Sequence, residues 1–371
     1  MNRLRLLHGA GQSVWLDFLS RGLITSGRLA RFVTEDLVSG VTSNPTIFSH
    51  AIGRSADYDE AVATLAGNGR SRALDIFYDL ALEDVSMAAD VLRPVYDATN
   101  GADGFVSFEL EPRLAHDCVA SIAAALVLFD RLGKPNTMIK VPGTAEGVAA
   151  VEELTARGVN VNITLLFSLE RYEQIAKAYI DGLDRRLALG QPIDRISSVA
   201  SFFVSRVDTM VDARLPDDNP LRGRVAIANA RVAYQRFRTL FSGDRWRRIA
   251  AAGGRLQRPL WASTGTKNPA YSDVRYVEEL VGPDTVNTMP KATLDAFRDH
   301  GRVRPDAASA GAQESADVIS QLPLHGVDLD DITSDLVEKG LQAFESDLRS
   351  LLAVIDEKVS RVHPDAGSEA V

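Results

Sequence analysis

Apolar positions along this chain fall into two rhythms. Short, nearly continuous apolar runs alternate with longer stretches in which apolar residues recur about every 3.6 positions. The short runs, apolar on both faces, read as strands of a parallel sheet covered on both sides. Eight occur, at 14–18, 40–44, 104–109, 137–141, 160–166, 196–203, 259–263 and 284–289. The longer stretches read as helices, at 118–132, 145–157, 169–189, 272–281 and 292–300, each followed by a glycine. Glycine is the residue favoured just past a helix C-terminus. Strand, polar loop, helix and glycine in repetition is the order of βα units, and eight such strands can close a parallel barrel. The expected fold is therefore α/β, a (β/α)8 TIM barrel with additional helices between strands and a C-terminal helical tail.

Uneven intervals locate the additions. Residues 49–100 hold two or more helices, and 216–254 add a long charged helix behind the loop Pro216-Asp217-Asp218-Asn219-Pro220. The tail is polar at first, then helical over 330–363, where Leu336, Leu341, Phe344, Leu348, Leu351, Leu352 and Ile355 form an apolar stripe. That stripe predicts a helix packed on the body. The last residues, 366–371, read as a loose end. One domain is expected, with a barrel body at about 14–300 and a helical extension at about 301–371. A split near Pro216–Asn219 is the rival, weakened because strands of the same style continue beyond it.

Chemistry gathers where the strands end. Lys140 sits in the apolar strand Met138-Ile139-Lys140-Val141, and desolvation there would lower its pKa and favour a nucleophilic amine. The alternative is a lysine at an exposed strand end that snorkels to water. Other strand ends carry Asp17, Asn44, Glu109, Asn162 with Thr164, Ser201 and Ser263. Each alone could be a cap or a turn residue. Together they match the C-terminal face of a barrel, where catalytic residues collect. Asp17 and Glu109 can move protons, and the amides of Asn44 and Asn162 can hold hydroxyls. Arg206 and Lys267 follow the sixth and seventh strands, where barrels often bind phosphate. A phosphorylated, polyhydroxylated carbonyl compound fits this set.

Composition narrows the partners. The chain has 371 residues, a net charge of −9 and a pI near 5.3, which argues against phosphate-neutralising nucleic-acid binding. The basic run Arg245-Trp246-Arg247-Arg248 reads as a solvated helix face. Cys118 is the only cysteine and reads as a packed core thiol, so neither an internal disulfide nor a thiolate metal cluster is expected. The six histidines show no ligand spacing, and no metal is expected. No segment reaches the about 18 consecutive apolar residues of a membrane span, and the first residues are too polar for a signal peptide. A cytoplasmic protein without membrane contact is expected. Phosphate-binding and dinucleotide-binding glycine motifs are absent, as is the Gly-x-Ser-x-Gly elbow.

Four segments resemble the transaldolase family, and the resemblance runs over most of the chain. They are Gly40-Val41-Thr42-Ser43-Asn44-Pro45-Thr46-Ile47-Phe48, Val106-Ser107-Phe108-Glu109-Leu110-Glu111-Pro112-Arg113-Leu114, Met138-Ile139-Lys140-Val141-Pro142-Gly143-Thr144 and Val161-Asn162-Ile163-Thr164-Leu165-Leu166-Phe167-Ser168. The helical additions resemble a longer, actinobacterial-like subgroup. The resemblance implies a class I aldolase barrel without cofactor, in which Lys140 forms a Schiff base with a ketose phosphate. Glu109 with Thr164 would hold the water that shuttles protons, and Asp17 would take the hydroxyl proton as the carbon–carbon bond breaks. Asn44, Asn162 and Ser201 would orient a dihydroxyacetone unit, with Arg206 and Ser263 on the phosphate. The implied reaction moves that unit from sedoheptulose 7-phosphate to glyceraldehyde 3-phosphate, giving erythrose 4-phosphate and fructose 6-phosphate. Where many members carry an arginine two residues after the serine, this chain has Ser263-Thr264-Gly265-Thr266-Lys267, and Lys267 is taken as the substitute cation. A fructose 6-phosphate aldolase is the nearest rival, and such enzymes resemble a shorter barrel with glutamine at the Glu109 position. A catalytically dead sugar-phosphate sensor is the rival of another class, opposed by the retained amine and carboxylates. Monomer and homodimer both remain open.

Overall fold

The computed structural model describes residues 2–70 and 72–362, so the expectations for residue 363 and for 366–371 fall outside it. Eight parallel strands close into a barrel in sequence order. They are β1 (Gln12–Leu16), β2 (Val38–Thr42), β3 (Phe105–Glu109), β4 (Thr137–Pro142), β5 (Val161–Leu166), β6 (Ser198–Phe203), β7 (Gln257–Ala262) and β8 (Thr285–Met289). The eight-stranded barrel expected from the sequence is therefore present. Strands β1 and β2 start two residues earlier than their apolar runs. The reason is that polar residues enter the ladder with side-chain donors that find acceptors inside. Gln12 Nε2 donates to Leu280 O at 2.8 Å and Thr285 Oγ1 at 3.0 Å, and Ser39 Oγ donates to Asp103 at 2.9 Å.

Helix Cys118–Leu132 has the expected bounds, and Ala145–Ala156, Leu169–Ala188 and Lys291–His300 lie within a residue of theirs. Four expectations need correction. Residues 272–281 form only the short helix Arg275–Glu278. The inserted charged helix is two, Val225–Leu240 and Asp244–Ala251, broken at Ser242 and Gly243. The polar start of the tail contains the helix Ala312–Gln321, ahead of the long helix Leu329–Val362. Cys118 is also less buried than a core thiol. Asp117 caps its helix by accepting from Ala120 N at 2.9 Å, which puts Cys118 in the first turn and leaves it half-buried. The Arg245–Arg248 run is a face of ion pairs, with Arg245 and Arg248 both on Asp184, while Trp246 turns inward onto Phe241.

The N-terminal end of the barrel is closed by a satisfied polar knot. Asp103, just before β3, accepts from Trp15 Nε1 at 2.8 Å, Ser39 Oγ at 2.9 Å and Ser13 Oγ, with Arg258 at 3.5 Å. Trp15 lies so close to β2 that a Cβ on Gly40 would stand 2.3 Å from the indole, so only glycine fits there. The long tail helix packs its apolar stripe on the body, burying Leu336, Leu341, Phe344, Leu348, Leu351 and Ile355. No helix among the described residues is long and apolar enough to cross a membrane.

Candidate active site

The opposite end of the barrel holds a cleft of about 240 Å³. Its lining brings together Asp17, Asn44, Lys140, Thr164, Ser201, Arg206, Ser263 and Lys267 from the ends of six strands and the loops that follow them. Glu109 and Asn162 lie just beneath, both buried and bonded to groups that line it. Every residue singled out at a strand end thus converges on one place.

At the centre is Lys140. Its Nζ donates to Glu109 Oε2 at 3.0 Å and to Ser43 O at 3.1 Å, with both charged side chains about 5% exposed or less. The ladder sets this pair, because Glu109 is the register partner of Lys140 across β3 and β4. The snorkelling alternative fails, since the ammonium is held inside the barrel rather than in water. Burial pushes the Glu109 carboxyl up, and the Lys140 charge opposes that rise. Asp17, just past β1, is likewise pushed up by burial, against Lys140 and a hydrogen bond from Thr42. Thr42 Oγ1 gives that bond at 2.7 Å and stands 2.7 Å from Thr288 Oγ1, so a threonine pair fixes the carboxylate.

The floor is a relay of hydrogen bonds. Ser201 Oγ donates to Asn162 Oδ1 at 2.7 Å, and Asn162 Nδ2 donates to Ser107 Oγ at 3.0 Å. Asn162 is thereby held between two hydroxyls. Asn44 caps the helix Pro45–Gly53 by accepting from Ile47 N at 2.9 Å, so it serves a cap and lines the cleft together. Thr164 Oγ1 is buried without a protein partner among the described residues, and because Thr164 lines the cleft a water or ligand can bond it there. The backbone beside it is strained, because Leu165 takes φ 57° within β5, where the β5–β6 register shifts. Ser263 has φ 55° and its Oγ stands 3.0 Å from Ser205 Oγ.

Two cations face the cleft from the β6 and β7 side. Arg206 lies over the Phe203 ring at 5.4 Å, and burial works against its charge while Glu109 and Asp17 support it. Lys267 is exposed at the lip. Among the described residues neither forms an ion pair, and three cations in the cleft face two carboxylates. That surplus positive charge suits an anion.

Sequence reasoning did not single out Thr42, Thr288, Ser107, Phe203 or Phe344. The threonines read as ordinary strand residues and Phe344 as part of the packing stripe. Alternation in β2 could have flagged Thr42, which shares its inward side with Gly40.

Comparison with known proteins follows from this geometry. A family model described as transaldolase/fructose-6-phosphate aldolase matches residues 14–355. A transaldolase of Saccharopolyspora erythraea is 49% identical over 363 residues, covering 97% of this chain and 98% of that protein. Transaldolase 1 of Streptomyces coelicolor is 48% identical over 362 residues, covering 96% and 94%. A transaldolase of Acidothermus cellulolyticus is 45% identical over 368 residues, covering 97% and 98%.

Proposed function

The chain belongs to the transaldolase/fructose-6-phosphate aldolase family, and on that premise we propose that it is a transferase of dihydroxyacetone units, a transaldolase. The donor is sedoheptulose 7-phosphate and the acceptor glyceraldehyde 3-phosphate, with erythrose 4-phosphate and fructose 6-phosphate as products. The observation that carries the reading is the buried amine of Lys140, held between Glu109 and a backbone carbonyl at the centre of a polar ring.

The steps follow from the positions. The Lys140 amine attacks the ketose carbonyl, and loss of water leaves a protonated imine. Glu109, whose proton is held more tightly because of burial, exchanges protons in that dehydration through a water that Thr164 Oγ1 can bond. Asp17 takes the hydroxyl proton as the carbon–carbon bond breaks. The bonding electrons flow into the imine, the aldehyde phosphate leaves, and an enamine remains on Lys140. The enamine attacks the acceptor aldehyde, and water returns the amine. Asn44, Asn162 and Ser201 hold the hydroxyls, while Arg206, Ser263 and Lys267 hold the phosphate. Electron demand is met by the imine itself. The partners are thus sugar phosphates, and a cytoplasmic setting goes with them, since phosphorylated sugars do not cross a bilayer unaided.

The test is a direct product assay with sedoheptulose 7-phosphate and glyceraldehyde 3-phosphate. Stoichiometric erythrose 4-phosphate and fructose 6-phosphate are expected. Free dihydroxyacetone as the main product from fructose 6-phosphate would instead select the aldolase branch of the family. No conversion of either donor would refute both.

A further inference from the structure

One wall of the cleft does not come from the barrel. Phe344, on the helix Leu329–Val362, lines it and is 3% exposed. Two contacts fix where that helix crosses. Gly340 rests on Leu165 of β5, so closely that a Cβ there would meet Leu165 Cδ2 at 2.8 Å. Asp347 accepts a hydrogen bond from Thr46, in the first turn of the helix Pro45–Gly53 that follows β2. They stand seven positions apart, about 10 Å of helix, which spans the rim from β5 to β2 and passes the ends of β3 and β4. Those strands carry Glu109 and Lys140. One turn on, Leu348 lines a small cavity with Ser43 and Glu109, the two groups that hold the Lys140 amine. The cations Arg206 and Lys267 stand across the barrel, after β6 and β7.

We infer that Phe344 is a specificity-determining residue that limits the bulk of a donor at its carbonyl end. This rests on the function proposed above. A sugar phosphate that places its phosphate at Arg206 and its carbonyl at Lys140 points its short end toward the tail-helix wall. A phenyl ring there is rigid and apolar, and it leaves room for a hydroxymethyl group but not for a longer substituent. The helix is pinned at Thr46 and Leu165 on either side of Phe344, so the ring cannot simply withdraw. Removing it opens space without touching an ionisable group.

Borohydride trapping with two hydroxyketones tests this. In 1-hydroxybutan-2-one an ethyl group replaces one hydroxymethyl of dihydroxyacetone at equal heavy-atom count, and 1-hydroxypentan-2-one adds one methylene. The ratio of the larger to the smaller adduct on Lys140, read by peptide mass, isolates size from polarity. In Phe344→Ala the ratio should rise about tenfold, the discrimination one methylene carries in a packed pocket. In Phe344→Leu it should rise less, and this milder variant guards against loss of fold. Leu351→Ala loosens the same helix at a fully buried position away from the cleft, and it should leave the ratio unchanged. An unaltered ratio in both Phe344 variants would overturn the inference, as would an equal rise in Leu351→Ala. No adduct on Lys140 in the unsubstituted protein would strike the imine chemistry itself and the inference with it.

Discussion

The two ends of this barrel treat a buried carboxylate in opposite ways. Asp103 at the N-terminal end accepts from an indole, two hydroxyls and, at the edge of reach, a guanidinium, so its lone pairs are used up within the fold. At the C-terminal end Glu109 is as hidden and Asp17 is half-buried, yet desolvation pushes both carboxyls upward because fewer groups answer their charge. Nearby, among the described residues, Thr164 Oγ1 lacks a protein partner and Arg206 has no carboxylate of its own. The Asp103 cluster is finished by the chain. The carboxylates of the cleft are left for a substrate to finish. Residues that hold a barrel together and residues that act on a ligand can share a chemical type and still be told apart by who satisfies them.

The largest effect should come from Asp17→Asn. If Asp17 serves bond cleavage, the substitution costs about 10² to 10⁴ in rate while the imine still forms. Its stability should move the other way. A carboxyl whose folded pKa is raised binds its proton more tightly when folded. Its stabilisation is therefore present at low pH and lost as pH climbs through the raised value. Replacing it with a neutral amide should hold or raise the melting temperature at pH 7. Single-turnover trapping alongside a thermal melt reads both, and a lowered melting temperature would erase the contrast between the two ends.

Asp103→Ala sharpens the same contrast from below. It strands several donors and the Arg258 charge, and breaking such a buried set costs about 3–5 kcal/mol. Denaturant titration should show that loss, and kcat of the folded fraction should stay at the unsubstituted value. A fall in kcat with little change in stability would reverse the assignment of the two ends.

Phosphate binding sets a smaller effect. Arg206→Ala removes a charge-assisted contact worth about 1.5–3 kcal/mol, so KM for fructose 6-phosphate should rise tenfold to a hundredfold by that arithmetic. Unphosphorylated fructose should be nearly indifferent. Lys267→Ala should act in the same direction but more weakly, because Lys267 is exposed at the lip and an ammonium lacks the guanidinium fork. An unchanged KM in the lysine variant would leave Arg206 as the principal phosphate cation.

Much of this was legible in the sequence because barrels couple two regular signals. Apolar runs marked all eight strands, and polar residues at the ends of the first seven marked the face that holds the cleft. The polar ends of β1 and β2 were not legible, since Gln12, Ser13 and Ser39 look like loop residues until partners such as Leu280 O and Asp103 are in place. The short helices Arg21–Thr25 and Arg28–Asp36, of five and nine residues, escaped because neither fills the roughly 11 positions over which a period shows. Thr42 and Thr288 were hidden by β-propensity, which explains a threonine in a strand without any site. Phe344 was hidden by its own stripe. A residue at helical spacing reads as core, and only the crossing of the tail helix over β3 and β4 turns one such residue toward the cleft.

The central claim is that Lys140 is the amine around which the unfinished end is built. The direct measurement is borohydride reduction in the presence of fructose 6-phosphate, followed by peptide mapping. A reduced three-carbon unit on Lys140 is expected, absent from Lys140→Arg because an arginine does not deprotonate in a protein. A full adduct on another lysine, such as Lys134 or Lys291, with Lys140 unmodified would contradict the account.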